Sequence, residues 1–271
     1  MKLTDKYRPQ RLADLRGQAG VVRGLAGFVR RPASSAFIFD GTPGTGKTSA
    51  ALALARELGV DVDKREWGGL HEVASGELTA ETVRELFGTT LRYTSWHGSG
   101  WKVVVCNEAD NMSDKAAFLF LDVLEHLPAK VVVIFTTNAI DKLPRRLRER
   151  CECHTFASRV SPEAEAEAQA LIDHVWTMEL GHNHSPRLAD LTGWKEGGAV
   201  SFRGVVRALE PLIRAELPGY GTVPAPAPAP LAKAARIRLV LPEKREKSTM
   251  ELMLEAEARR EAFLARIGVA A

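Results

Sequence analysis

Residues 41–48 read Gly-Thr-Pro-Gly-Thr-Gly-Lys-Thr, and the segments on either side of them decide the fold. Upstream, Ala36-Phe37-Ile38-Phe39-Asp40 is a short apolar run closed by a carboxylate, the pattern of a strand buried on both faces. Downstream, Thr48 to Leu58 is rich in alanine and leucine and predicts a helix. Glycines between a strand and a helix let backbone N–H groups turn inward around phosphate oxygens, and the helix N-terminus adds partial positive charge. The spacing GxxxxGK[ST] in this setting marks Gly41, Thr42, Pro43, Gly44, Thr45, Gly46, Lys47, Thr48 and Ser49 as candidate ATP-binding residues. Lys47 is placed to reach the β and γ phosphates, and the Thr48 hydroxyl to hold Mg²⁺.

Two more apolar runs repeat the pattern. Trp101 to Cys106 predicts a second buried strand, followed by a helix from about Ser113 to His126. Val131 to Thr136 predicts a third strand, closed by polar Thr136, Thr137 and Asn138, and His154-Thr155-Phe156 a short last one. Strands alternating with helices predict an α/β fold, a parallel sheet covered on both faces.

The strand ending at Cys106 leads into Asn107-Glu108-Ala109-Asp110. A nucleotide-hydrolysing protein is expected to carry Asp-Glu there, the first carboxylate orienting Mg²⁺ or its waters and the second activating the attacking water. Glu108 is present as the catalytic candidate. Asn107 keeps an oxygen for the metal but lacks the charge. Asn138 is a candidate for the γ-phosphate or the lytic water. Arg150 and Arg203 are candidates to neutralise charge spread over phosphate oxygens, which the guanidinium fork suits.

After about Arg159 the strands stop until the tail, where Ala235 to Leu241 is a candidate short strand. Ser161-Pro162-Glu163 opens a helix running to about Leu180 and stopped by Gly181, and further helical stretches lie near Arg187–Leu191 and Ser201–Leu217, an all-helical second domain. Val223 to Pro230 alternates proline with alanine and predicts an extended rod of about 20 Å. The expected divisions are 1–158 for the nucleotide-binding domain, 159–219 for the helical one, 220–232 for the linker and 233–271 for a partner-docking tail.

Composition is that of an ordinary globular chain: 271 residues, 45% hydrophobic, 26% charged, net charge +3. No apolar run approaches the ~20 residues of a membrane helix and MKLTDKYRPQ is no signal peptide, so a cytoplasmic protein without membrane contact is expected. The charge permits nucleic acid as a partner without requiring it. Cys151, Cys153 and His154 sit together, but CxC without a second pair falls short of a tetrahedral metal site, and a strand end with small buried thiols is the expectation.

In order along the chain, Lys6-Tyr7-Arg8-Pro9, Leu15-Arg16-Gly17-Gln18, the phosphate loop, residues 107–113, Thr136-Thr137-Asn138, Leu147-Arg148-Glu149-Arg150-Cys151 and Ser201-Phe202-Arg203-Gly204 resemble the clamp-loader clade of the AAA+ ATPases, the replication factor C small subunits and bacterial clamp-loader ATPases. The resemblance covers about residues 1–215. It implies a P-loop αβα sandwich followed by a helical lid, with Tyr7, Arg8 and Pro9 near the adenine. It further implies Glu108 as catalytic Glu, Asn138 as sensor 1, Arg203 as sensor 2 on the lid, and Arg150 acting on the nucleotide of a neighbouring subunit. A homo- or hetero-oligomer with sites at subunit interfaces follows, with DNA or a DNA-bound protein complex, and a sliding clamp, as partners; on DNA it would be associated with the nucleoid.

The chain departs from the family at Asn107, at Glu149 in place of serine, at Ala117, and at Leu121-Asp122 where basic residues often contact DNA. Three functions remain open on the sequence: an active ATPase of clamp-loader type, an ATP-binding and weakly hydrolysing structural subunit, and a protein-remodelling factor without DNA binding.

Overall fold

The computed structural model of the protein describes residues 2–64, 69–88, 91, 99–156, 161–196 and 198–217. In chain order it contains α1 (Leu3–Lys6), α2 (Ala19–Arg30), β1 (Ser35–Asp40), α3 (Lys47–Glu57), β2 (Leu70–Val73), α4 (Ala80–Gly88), β3 (Lys102–Cys106) and α5 (Asp114–Glu125). There follow β4 (Val131–Thr137), α6 (Arg145–Arg148), β5 (Glu152–Thr155), α7 (Pro162–Leu180), β6 (Lys195–Glu196), β7 (Ala199–Val200) and α8 (Phe202–Glu216).

The first five strands form one parallel sheet in the order β2-β3-β4-β1-β5. Side chains alternate across a strand, so Phe37 and Phe39 face one layer and Ile38 the other. On the first face they join Val103, Val105, Val132 and Ile134 under α2 and α3. On the second, Ile38, Val104, Val133 and Phe135 meet α4, α5 and α6 through Val83, Phe120 and Leu147. Ala50 to Ala55 of α3 are all buried, and the small alanines let this helix lie close against the central strands. The predicted αβα sandwich is what forms. The register aligns Asp40 of β1 with Thr137 of β4, which brings the carboxyl ends of β1, β3 and β4 together on one edge, where parallel sheets place ligands.

Ser113 and Ser161 cap α5 and α7, accepting from Ala116 N at 3.3 Å and Ala164 N at 3.2 Å. Gly181, at φ 76°, stops α7. The second region departs from an all-helical expectation: Lys195–Glu196 pairs antiparallel with Ala199–Val200. Strands of two residues are too short to display a period of two, so only the backbone reveals them. The stretch near Arg187–Leu191 is a single 3₁₀ turn, Leu188–Asp190. Helix α7 packs on α8 through Ile172, Val175, Leu209 and Ile213, and Leu3 of α1 enters the same cluster.

The thiols also differ from expectation. Cys106 is buried, Cys151 half-buried and Cys153 exposed, because β5 is an edge strand. No helix among the described residues is long and apolar enough to cross a membrane. The predicted linker and tail, 220–232 and 233–271, lie outside the described residues.

Phe120 is fully buried, edge-on to Phe135 at 4.9 Å and to Phe87 at 5.9 Å, whereas Phe118 on the same helix is 69% exposed. Phe120→Ala is expected to cost about 3–5 kcal/mol in urea denaturation. Phe118→Ala is expected to stay within about 0.5 kcal/mol of the parent.

Candidate nucleotide site

The phosphate loop leaves β1 at Asp40 and enters α3 at Lys47. Gly46 sits at φ 99°, a left-handed position that side chains with a Cβ rarely adopt, and it sets the first helical turn. Gly44 is required by contact as well as by conformation. A Cβ there would lie 2.0 Å from Ser201 Oγ and 3.0 Å from Glu196 Oε2. Ser201 is the cap of α8, accepting from Gly204 N at 3.0 Å and donating to Glu196 Oε2 at 3.0 Å. The loop and the second region therefore meet backbone against side chain.

Lys47 is buried, and its ammonium donates to Gly41 O at 2.6 Å, Thr42 O at 2.9 Å and Asn138 Oδ1 at 2.9 Å. Burial lowers its pKa to about 8. Asp40 opposes that shift, Arg203 adds to it, and Asp110 and Glu108 oppose it more weakly. Thr45 Oγ1 braces the loop by donating to Thr42 O at 2.8 Å, while Thr42 Oγ1 is buried with no hydrogen-bond partner.

Thr48 Oγ1 donates to Asn107 Oδ1 at 3.2 Å, closing the start of α3 onto the end of β3. The same amide oxygen accepts from Thr136 Oγ1 at 3.3 Å, and Thr136 Oγ1 in turn accepts from Glu108 N at 3.2 Å. Glu108 has an exposed side chain and a left-handed backbone, φ 51° and ψ 51°. That conformation costs about 1–3 kcal/mol in a non-glycine residue and is concentrated at functional positions. Asp110 was not singled out from the sequence for any role of its own. Its Oδ1 accepts from Thr137 Oγ1 at 3.0 Å and from Asn138 N at 3.3 Å. The signal for it was only its place in the turn after β3.

A cleft of about 950 Å³ opens beside the loop, lined by Tyr7, Arg8, Pro9, Ser49, Phe202 and Arg203 among others. Tyr7 is fixed at its rim by α7: its hydroxyl donates to Glu179 Oε1 at 2.6 Å and its ring meets His174 edge-on at 6.0 Å. Burial, with this carboxylate, raises the Tyr7 pKa well above the ordinary value, so the hydroxyl stays protonated as a donor. The cleft wall also includes Arg16, from the quoted Leu15–Gln18 motif, and Glu167 and His174, which no sequence pattern singles out.

Arg150 stands apart from this assembly. On the surface beyond α6 its guanidinium grips Glu125, with Nε 3.0 Å from Oε1, and Nη1 donates to Arg146 O at 3.2 Å. The pairing, through hydrogen bond and charge, lowers the Glu125 pKa.

The donor set fits a magnesium polyphosphate. Thr48 Oγ1 and Asn107 Oδ1 are hard oxygen donors, with the carboxylates of Glu108 and Asp110 nearby in the chain. Among the described residues no group of three or more His, Cys, Asp or Glu is arranged to hold a metal. Magnesium characteristically takes one or two protein ligands and completes its shell with substrate phosphates and water.

Residues 37–159 match the family described as ATPase family associated with various cellular activities (AAA). The chain is similar to the replication factor C large subunit of Methanocorpusculum labreanum, 34% identical over 58% of this chain and 37% of that protein. It is also similar to the replication factor C small subunit of Haloarcula marismortui, 32% identical over 60% of this chain and 49% of that protein. The chain thus spans less than half the length of either relative. A variant of RuvB from Thermotoga maritima shares the fold, with a TM-score of 0.50 and 17% identity over 64% of this chain and 54% of that chain.

The position of Lys47 has a consequence for pH. The protonated amine attracts phosphate; it holds its proton below about pH 8 and loses it above. Affinity for ATP should be flat from pH 6.5 to 7.5 and fall above pH 8, by at most about tenfold per unit. Lys47→Arg, whose guanidinium stays charged, should remove the decline. Titration with a fluorescent ATP analogue at constant Mg²⁺ checks this.

Proposed function

We propose, from the premise that residues 37–159 are an AAA-family ATPase domain related to replication factor C subunits, that this chain binds Mg·ATP and hydrolyses it as one member of an oligomer. The work so driven is the assembly or remodelling of a DNA replication or repair complex, carried out in the cytoplasm on nucleoid DNA, with a sliding clamp as one partner. The observation that carries the reading is the closure of Thr48 on Asn107 at 3.2 Å beside that of Lys47 on Asn138 at 2.9 Å. Residues from three segments far apart in sequence meet there, which supports a site for phosphoryl transfer.

The roles follow from chemistry. The N–H groups of Gly44 to Thr48 and the Lys47 ammonium bind the β and γ phosphates, with Tyr7, Arg8 and Pro9 at the adenine end of the cleft. Thr48 and Asn107 are the residues that would hold magnesium, which when bound would neutralise charge developing on phosphate oxygens. Glu108 accepts the proton of the attacking water. Asn138 donates a hydrogen bond to the γ-phosphate or orients that water. Arg203, on the first turn of α8, brings charge from the second region to the same cleft. Arg150, turned away from its own chain's site, serves a neighbouring subunit's nucleotide after exchanging Glu125 for phosphate.

Asn107 favours a second reading, a subunit that binds ATP and turns it over slowly. The amide offers magnesium a dipole where a carboxylate would offer a full charge, so positioning of the ion is weakened more than proton transfer.

Asn107→Asp is expected to raise single-turnover hydrolysis, most visibly at limiting Mg²⁺, and Glu108→Gln to lower it by about 10²–10⁴ while ATP stays bound. A parent as slow as Glu108→Gln, beside a fast Asn107→Asp, would establish the slow-subunit reading instead.

Arg150→Ala is expected to bind ATP normally yet lose oligomer-dependent turnover. Mixed with Glu108→Gln it should regain part of that turnover, since one interface then joins an intact Glu108 to an intact Arg150. Absence of rescue in mixed oligomers verified by native mass spectrometry would count against a shared site.

A further inference from the structure

We infer that Asp110 is the positioning residue that holds Asn138 against the phosphate loop, an inference that rests on the reading of Asn138 as the residue that engages the γ-phosphate. One carboxylate oxygen of Asp110 accepts both the Thr137 hydroxyl, at 3.0 Å, and the Asn138 backbone N–H, at 3.3 Å. The Asn138 side chain in turn accepts from Lys47 Nζ at 2.9 Å. Three segments are thereby joined: the turn after β3, the end of β4, and the phosphate loop, the last two also linked by Gly41 N donating to Thr137 O at 3.3 Å.

The geometry of the turn explains why residue 110 performs this role. The left-handed backbone of Glu108 launches a single 3₁₀ turn, Ala109–Asn111, closed by Asn111 N donating to Glu108 O at 3.0 Å. Ala109 is buried beneath it, which fixes the turn against the sheet. Glu108 and Asp110 therefore move as one piece, and a shift of that piece displaces Asn138 too. Thr137 is fully buried, and its hydroxyl needs a partner; a carboxylate is the stronger choice, since charge-assisted hydrogen bonds are roughly twice as strong as neutral ones. Thr137 Oγ1 also accepts from Ala139 N at 3.0 Å, so the backbone on both sides of Asn138 is tied down. The side chain of Asn138 is left exposed at the tip of β4, held by its backbone rather than by packing.

Turnover and ATP affinity are measured separately on the oligomer with Mg·ATP for Asn138→Ala, Asp110→Ala, the double variant and Asp110→Asn. Asp110→Ala should lower kcat by about 10²-fold, the scale of a misplaced catalytic group, with the ATP Kd within about threefold of the parent. The double variant should be no slower than Asn138→Ala alone, because both changes remove one function. Asp110→Asn retains an oxygen at the same position and should recover most of the loss. Wild-type turnover in Asp110→Ala, or losses that multiply in the double variant, would overturn the inference. Full turnover in Asn138→Ala would overturn it through the role given to Asn138, and that single variant identifies which of the two failed. If Asp110→Ala does not fold, Asp110→Ser, whose hydroxyl is too short to reach both donors, is read by the same criteria.

Discussion

A buried ammonium needs a full set of acceptors, and the Lys47 side chain obtains three: two carbonyls of its own loop and the amide oxygen of Asn138. An ammonium has three protons to donate, so this set saturates it. The two carbonyls turn inward only if the loop folds back on itself, and that fold demands the left-handed backbone of Gly46. The third acceptor lies at the tip of another strand, so β4 must stand beside β1 in the register observed. Loop conformation, strand order and the position of Asn138 thus answer to one desolvated charge.

The same charge gives meaning to the carboxylates around it. Asp40, Asp110 and Glu108 all favour a protonated Lys47, while burial and Arg203 disfavour it. An aspartate at position 107 would have added a further negative charge at the Thr48 hydroxyl. With asparagine there, the oxygen acceptor survives and the field around the Thr48 hydroxyl is weaker. Asn107 still accepts from both Thr48 and Thr136, so its place in the hydrogen-bond network does not require the charge. Geometry and charge, which a carboxylate would combine, are separated at this position.

Contact between the phosphate loop and the second region is close enough to be stereochemically exclusive. At Gly44 any side chain would collide with Ser201, the residue that caps α8 and carries Arg203 two positions on. The orientation of α8 is thereby coupled to the loop between β1 and α3. Tyr7 extends the coupling, since its hydroxyl is tied to Glu179 of α7 while its neighbours line the cleft.

Much of this was legible in the sequence because the signals are local. The apolar run before Gly41, the glycine spacing, and the serines before α5, α7 and α8 each act within a few residues, and each appears where expected. The meeting of Thr48 with Asn107 and of Lys47 with Asn138 followed from a pattern of strand ends, since a parallel sheet gathers its carboxyl ends on one edge. Strand β2 and the β6–β7 hairpin were not read from the sequence: pairing with a neighbour is what makes them strands. Nor could the sequence show that Asp110 serves Asn138, or that Arg150 rests on Glu125. A local pattern specifies which face of an element is buried; which side chains stand opposite it depends on strand register and helix docking, and those exist only once the chain has closed on itself.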